Sequence, residues 1–174
     1  MKKISKITVK HILDEVPDTS FIGEYTNNLE DGVIVREFNK FYEDLTEEEL
    51  ENIPSRGREF RCFKPYSGGE KPGTEDYKKY GFQDYQRMEE LSEGHFCFIG
   101  IKAEAEILTS QNNGQSWLIN SFSSGGVWGM ESDSDKSDIE DVEKEQIEEL
   151  FMELTEIGFT EKDFQNVKIK YKRF

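Results

Sequence analysis

The stretch Phe96-Cys-Phe-Ile-Gly-Ile-Lys-Ala-Glu-Ala-Glu-Ile-Leu108 decides the fold. Cys97, Ile99, Ile101, Ala103, Ala105 and Ile107 alternate with Phe96, Phe98, Gly100, Lys102, Glu104 and Glu106. Successive side chains of a strand point to opposite faces, so one face is apolar throughout while the other carries the charge. The stretch is predicted to be a strand with one buried face. Asn113-Gly114 separates it from Trp117-Leu-Ile-Asn-Ser-Phe122, and Asn-Gly supplies the two positive-φ positions of a tight hairpin turn. An antiparallel pair follows.

Further out, Ile7 and Val9 alternate with Lys and Thr, Gly32-Val-Ile-Val-Arg-Glu-Phe38 and Arg58-Glu-Phe-Arg-Cys-Phe63 have strand composition, and Val167-Lys-Ile-Lys-Tyr171 alternates again. Thr46 with Glu49 makes a capping box for a short helix over Glu47 to Asn52, limited by Pro54. Thr74 is placed to cap a second helix. Its Tyr77, Tyr80, Asp84, Tyr85, Met88 and Leu91 recur at spacings of three and four, a stripe facing the core with Gly81 as a weak point.

A third helix is predicted from about Asp138 to Ile157, opened by a Ser137–Glu140 capping box and ended by Gly158. Ile139, Val142, Ile147, Leu150, Phe151, Leu154 and Ile157 fall within one half-circle, and Asp141, Glu145, Glu148, Glu149 and Glu156 fall opposite. These elements predict an α+β fold, a mostly antiparallel sheet with two main helices packed on one face. The expectation is one domain over residues 1–174, without repeat or linker.

The composition supports a packed core, because 13% aromatics with 13 Phe accompany the low 34% hydrophobic share. No apolar run is long enough to span a bilayer and MKKISKITVK has no hydrophobic signal region, so a cytoplasmic protein of the host cell is expected. The net charge of −15 is uneven: residues 131–163 hold 14 acidic side chains against Lys136, Lys144 and Lys162, whereas Lys168, Lys170, Lys172 and Arg173 make the end basic. Such a polyanion repels nucleic acid and anionic lipid and attracts proteins with basic grooves.

Several chemistries find little support. Glu131, Asp133 and Asp135 alternate as Mg²⁺ or Ca²⁺ ligands would, but the Gly and the closing Glu of a calcium loop are missing at their positions. Cys62, Cys97, His11 and His95 show no zinc spacing, and both cysteines read as small core residues, with a disulfide neither implied nor excluded. Ser121-Phe-Ser-Ser-Gly-Gly-Val-Trp-Gly129 matches no phosphate-binding loop and reads as a bent strand exit with Trp128 in the core. No catalytic residue, metal or cofactor is expected.

The acidic helix face stands out. Asp141 with Glu145 and Glu145 with Glu149 repel at i,i+4, and Glu149, Glu153 and Glu156 lie at the wrong end of the helix dipole. Either the face serves solubility or it meets a basic partner.

Pro17-Asp-Thr-Ser-Phe-Ile-Gly-Glu-Tyr25, Gln83-Asp-Tyr-Gln-Arg-Met-Glu89, Phe98-Ile-Gly-Ile-Lys-Ala-Glu-Ala105, Ser124-Gly-Gly-Val-Trp-Gly-Met-Glu-Ser-Asp-Ser-Asp135 and Glu145-Gln146 together resemble a family of small proteins carried by phages, plasmids and bacterial genomes. Val127 and Met130 stand where that family's pattern has Leu and Ile. The resemblance implies a mobile-element origin, and no established catalytic activity or catalytic residues come with it. By analogy it points to an anti-defence inhibitor, anti-CRISPR or anti-restriction, resembling DNA in charge.

The leading expectation is therefore a non-enzymatic inhibitor of a host defence nuclease or its nucleic-acid complex, with Glu131, Asp133, Asp135, Asp141, Glu145, Glu148 and Glu149 as the partner-binding carboxylates. A second reading is a small Mg²⁺-dependent enzyme or ligand-binding domain with Asp84 and Arg87 beside the acidic run. A third is nucleic-acid binding through Lys2, Lys3, Lys6, Lys10 and the basic end.

Overall fold

The computed structural model describes residues 2–54, 58–111 and 116–173. In chain order they form β1 (Lys2–Leu13), β2 (Gly23–Thr26), β3 (Ile34–Val35), β4 (Lys40–Phe41), α1 (Glu47–Glu51), β5 (Cys62–Pro65), α2 (Glu75–Ser92), β6 (Phe98–Gln111), β7 (Ser116–Ser123), β8 (Val127–Glu131), α3 (Lys136–Glu156), α4 (Glu161–Phe164) and β9 (Ile169–Lys172). The fold is α+β. Contacts divide it into two compact units, Met1–Pro17 with Phe96–Phe174, and Asp18–His95.

The first unit is built on β6. Along one side β6 runs antiparallel to β1, from Lys2 opposite Thr109 to Leu13 opposite Ile99. Along its other side lie β7, from Glu104 opposite Ser123 to Gln111 opposite Ser116, and then β8. β9 adds to β1 in parallel, Ile7 opposite Ile169. The alternation predicted for Phe96–Leu108 is present in burial from Ile101 to Ile107, while nearer its start Phe96, Phe98 and Gly100 of the opposite face are buried as well and Cys97 is half-buried. Ile99, Ile101, Ala103, Ala105 and Ile107 pack with Ile7 and Val9, under Ile147, Leu150 and Leu154 of α3. Each fully buried leucine contributes about 1.5–3 kcal/mol. The antiparallel partner of β6 is also found where expected, while Asn113 and Gly114 lie outside the described residues.

α3 begins earlier than its sequence suggested. Asp135 takes the N-cap position, and no Ser137–Glu140 capping box forms: the Ser137 hydroxyl turns to Asp138, and Glu140 pairs with Lys136 at 3.4 Å. A turn from Ser134 N–H to the Glu131 carbonyl redirects the chain before Ser137 is reached. Gly158 adopts φ +96° just past the helix, as its terminating role requires, but Ile157 is exposed.

In the second unit β5 lies between β2 and β3, and β4 pairs with β3. α2 packs on this sheet through Tyr77, Gly81, Tyr85 and Met88, while Tyr80 of the expected stripe is exposed. Gly81 is a contact point rather than a weak one. A Cβ there would stand 2.9 Å from Pro65 Cγ and 3.0 Å from Phe41 Cζ, so the lost helix propensity permits close approach. The Thr46–Glu49 capping box forms as expected. The expected strands are shorter: only Ile34–Val35 pairs within residues 32–38, because Phe38 N–H folds back to the Val35 carbonyl. The 58–63 strand starts at Cys62, after Asn27 has engaged both the backbone and the guanidinium of Arg61.

Candidate functional site: the two faces of the acidic helix

The carboxylates of α3 fall into two groups, and the sequence reading did not separate them. Glu143 points inward and is only 2% exposed. Its Oε1 lies 2.8 Å from His11 Nε2 on β1 and accepts from Arg173 Nε at 2.8 Å, and its Oε2 accepts from Arg173 Nη2 at 2.5 Å. Burial pushes the Glu143 carboxyl up, but the hydrogen bonds from Arg173 and His11 outweigh it and hold the group below the usual carboxylate range.

Glu149 is also turned in, accepting the Gly125 N–H at 3.2 Å and the Gln146 amide at 3.0 Å. The buried Gln146 Oε1 in turn accepts from the Ser124 hydroxyl at 2.8 Å and Gly126 N–H at 3.0 Å, while Ser124 Oγ accepts the Ala103 N–H at 3.0 Å. This ties α3 to the point where β7 gives way to β8. Gly126 sits there at φ +85°, a conformation glycine adopts without a steric cost. The Ser-Gly-Gly part of the conspicuous sequence run is thus an attachment of strand to helix.

Outward, Asp141, Glu145 and Glu148 lie along one exposed stripe of α3, with Asp133 and Asp135 exposed just before it. Glu131 is half-buried on β8 opposite Phe98, and Glu149 is half-buried as described. Five of the seven expected partner-binding carboxylates are therefore solvent-facing. Basic relief on the stripe is slight: Lys144 meets Asp141 at 2.8 Å, a surface pair worth about 0–1 kcal/mol. Met152, 65% exposed, lies one turn beyond Glu148 and adds an apolar contact that charge patterning did not reveal.

The other expected sites resolve differently. Trp128 is not in the core: it is 51% exposed and lies against the backbone of Gly100. Cys62 is buried and free, whereas Cys97 is free but half-buried. Asp84 is a structural acceptor, taking the Ser67 N–H at 2.6 Å, with burial raising its carboxyl above the ordinary value. Among the described residues no group of three or more His, Cys, Asp or Glu is arranged to hold a metal ion, and no helix is long and apolar enough to cross a membrane. The basic strands are partly neutralised, Lys6 by Glu106 and Lys10 by Glu104, each at 2.8 Å.

The second unit holds a feature that pattern reading missed, an open cleft of about 810 Å³ lined by Arg36, Arg58, Tyr85, Glu89, Glu93 and His95, among others. Glu89 joins its wall, meeting Arg36 at 2.6 Å, Arg58 at 3.3 Å and the Tyr25 hydroxyl at 2.8 Å. Burial and the Glu89 hydrogen bond push the Tyr25 phenol up to about 12. Tyr85, Glu89 and Glu93 recur every fourth residue along α2 and its end, whereas Arg36 and Arg58 come from separate loops, so helical spacing marks one wall of the cleft and nothing local in the sequence marks the other. Compared with known proteins, the chain matches no family model, no curated protein and no solved structure.

Proposed function

We propose that the protein is an inhibitor that binds a basic, nucleic-acid-handling protein, a CRISPR effector nuclease or restriction enzyme, through the outer face of α3. The observation that supports this reading is the division of labour among the carboxylates. Glu143 and Glu149 are engaged by internal donors, and Asp141, Glu145 and Glu148 are left on one exposed stripe. Residues three and four apart on a helix are spaced by about 5–6 Å, close enough to offer a basic channel a line of negative charge where nucleic-acid phosphates would lie. The test is capture of purified nuclease complexes, freed of nucleic acid, at low and moderate salt. Salt-sensitive capture with loss of nuclease activity supports the reading, and its absence across the panel removes it.

A second reading rests on the cleft of the Asp18–His95 unit. Its paired Arg36 and Arg58 beside several carboxylates suit a zwitterionic small molecule, and thermal stabilisation by such a ligand without nuclease capture would favour it.

A further inference from the structure

The run Glu131-Ser-Asp-Ser-Asp-Lys136 opens the most acidic part of the chain, but the recess beside it is walled by basic and hydroxyl groups. Ser132, Ser134 and Lys136 line this cavity of about 270 Å³ in the first unit, together with His11 of β1 and Arg173 just after β9. Among the described residues no carboxylate lines it, and the intervening Asp133 and Asp135 are exposed. The alternation that suggested cation ligands therefore sorts the side chains the other way, with the hydroxyls and the ammonium at the cavity.

The fold leaves specific polar atoms of these residues over. Ser132 Oγ accepts the Cys97 N–H at 3.0 Å, which leaves its O–H to donate. Arg173 spends Nε and Nη2 on Glu143, and among the described residues its Nη1 has no hydrogen bond. Lys136 Nζ meets one oxygen of Glu140 at 3.4 Å and has three hydrogens to give. His11 supplies the opposite function. Its side chain is 6% exposed, and Nε2 lies 2.8 Å from the ionised Glu143, which only accepts, so Nε2 carries the ring hydrogen and Nδ1 is left as an acceptor. Lys136 and Ile139 also place the cavity at the first turn of the 21-residue α3, where the Asp135 side chain caps no amide and the helix dipole favours an anion.

We propose that this recess binds hydrogen phosphate, its oxygens taking hydrogen bonds from Lys136, Arg173, Ser132 and Ser134 and its P–OH donating to His11 Nδ1. Donors alone would suit any oxyanion, and the acceptor selects one that carries a hydrogen. Inorganic phosphate keeps a P–OH at neutral pH, whereas sulfate and carboxylates have none to offer there. The size agrees, since drug-sized ligands take cavities of roughly 300–1,000 Å³ and this one suits a smaller molecule. The net charge of −15 does not forbid it: exposed charges more than about 10 Å away are largely screened at 0.1 M salt, so the donors in the wall decide. Neither Lys136 nor Ser134 belongs to the Asp141, Glu145 and Glu148 stripe, so phosphate binding and nuclease capture succeed or fail separately.

Titration of the full chain with sodium phosphate at neutral pH and constant ionic strength, followed by the amide resonances of an isotope-labelled sample, tests this. Saturable shifts are expected at Ser132, Ser134 and Lys136, with sulfate at least about tenfold weaker because it leaves His11 Nδ1 facing an oxygen with no hydrogen. Lys136→Ala removes an exposed charged donor and Ser134→Ala a hydroxyl. Together they are expected to weaken phosphate binding at least about tenfold with unchanged melting, the usual effect of losing hydrogen bonds to a charged group. Shifts that do not saturate, or that chloride reproduces, overturn the proposal. Sulfate binding as tight as phosphate overturns it too, as does an affinity that survives both substitutions.

Discussion

Arg173 holds both carboxylate oxygens of Glu143, at 2.8 and 2.5 Å, and so fastens the end of the chain to the inner side of α3. His11 approaches the same carboxylate from β1. A buried charge left without its partner is costly, typically 3–5 kcal/mol. Because Arg173 is partly exposed and His11 remains, Arg173→Ala is expected to destabilise the first unit by about 3 kcal/mol, measured by denaturant unfolding. Acid dependence follows from the same contact. Glu143 has a folded pKa below its ordinary value of 4.5, so its stabilisation is fully present above that value and is lost as pH falls through the depressed one. Glu143→Gln should flatten this part of the acid unfolding profile.

Removing Gln146 tests the attachment of strand to helix. Gln146→Ala takes away the acceptor used by the Ser124 hydroxyl and Gly126 N–H. Buried polar groups left unsatisfied cost about 1–3 kcal/mol each. A melting temperature unchanged from wild type would contradict the role assigned to the Ser-Gly-Gly run.

Gly100 and Trp128 are coupled by space alone. A methyl carbon at Gly100 would stand 2.3 Å from Cε3 of the indole, forcing the half-exposed ring to move. Gly100→Ala is expected to cost about 1–3 kcal/mol, the usual range for overpacking, with Trp fluorescence shifted to the red. Most of that cost should vanish in a Trp128→Ala background, and a double-mutant cycle measures the difference.

Alkaline behaviour belongs to the second unit. The Tyr25 phenol is raised from 10.0 to about 12, chiefly by burial and then by Glu89, and burial also raises Tyr77, Tyr85 and the Cys62 thiol. A raised folded pKa favours the neutral phenol, so the stabilisation from Tyr25 is complete below pH 10.0 and fades as pH rises through about 12. Tyr25→Phe should flatten the alkaline limb of unfolding, and an unchanged limb would remove Tyr25 from the account.

The sheet of the first unit was legible because Lys102, Glu104 and Glu106 alternate with Ile101, Ala103, Ala105 and Ile107 along β6, although Phe96 and Phe98 make both faces apolar at its start. The apolar stripe of α3 was legible for the same reason. Periodicity did not reveal Glu143 and Gln146, which lie in the buried face among Ile147, Leu150 and Leu154. Their partners, His11, Arg173 and Ser124, are distant in sequence, and a polar side chain on a helix carries no local mark of being satisfied by another element. Trp128 misled for a related reason: its size suggests a core, but alternation along β8 and the bare backbone of Gly100 place it outside. In the second unit, strands of two to four residues are too short to show a period.

The central claim concerns the outer stripe of α3, and charge reversal tests it most directly. Asp141→Lys, Glu145→Lys and Glu148→Lys together should leave folding intact, because all three positions are exposed and the reversal only exchanges one set of surface like-charge pairs, worth about 0.2–0.5 kcal/mol each, for another. Capture of a target nuclease by this triple variant, compared with wild type at low salt, is the measurement to make. Loss of capture and inhibition with unchanged melting is the result predicted. Capture that persists, with unaltered salt dependence, would contradict the account.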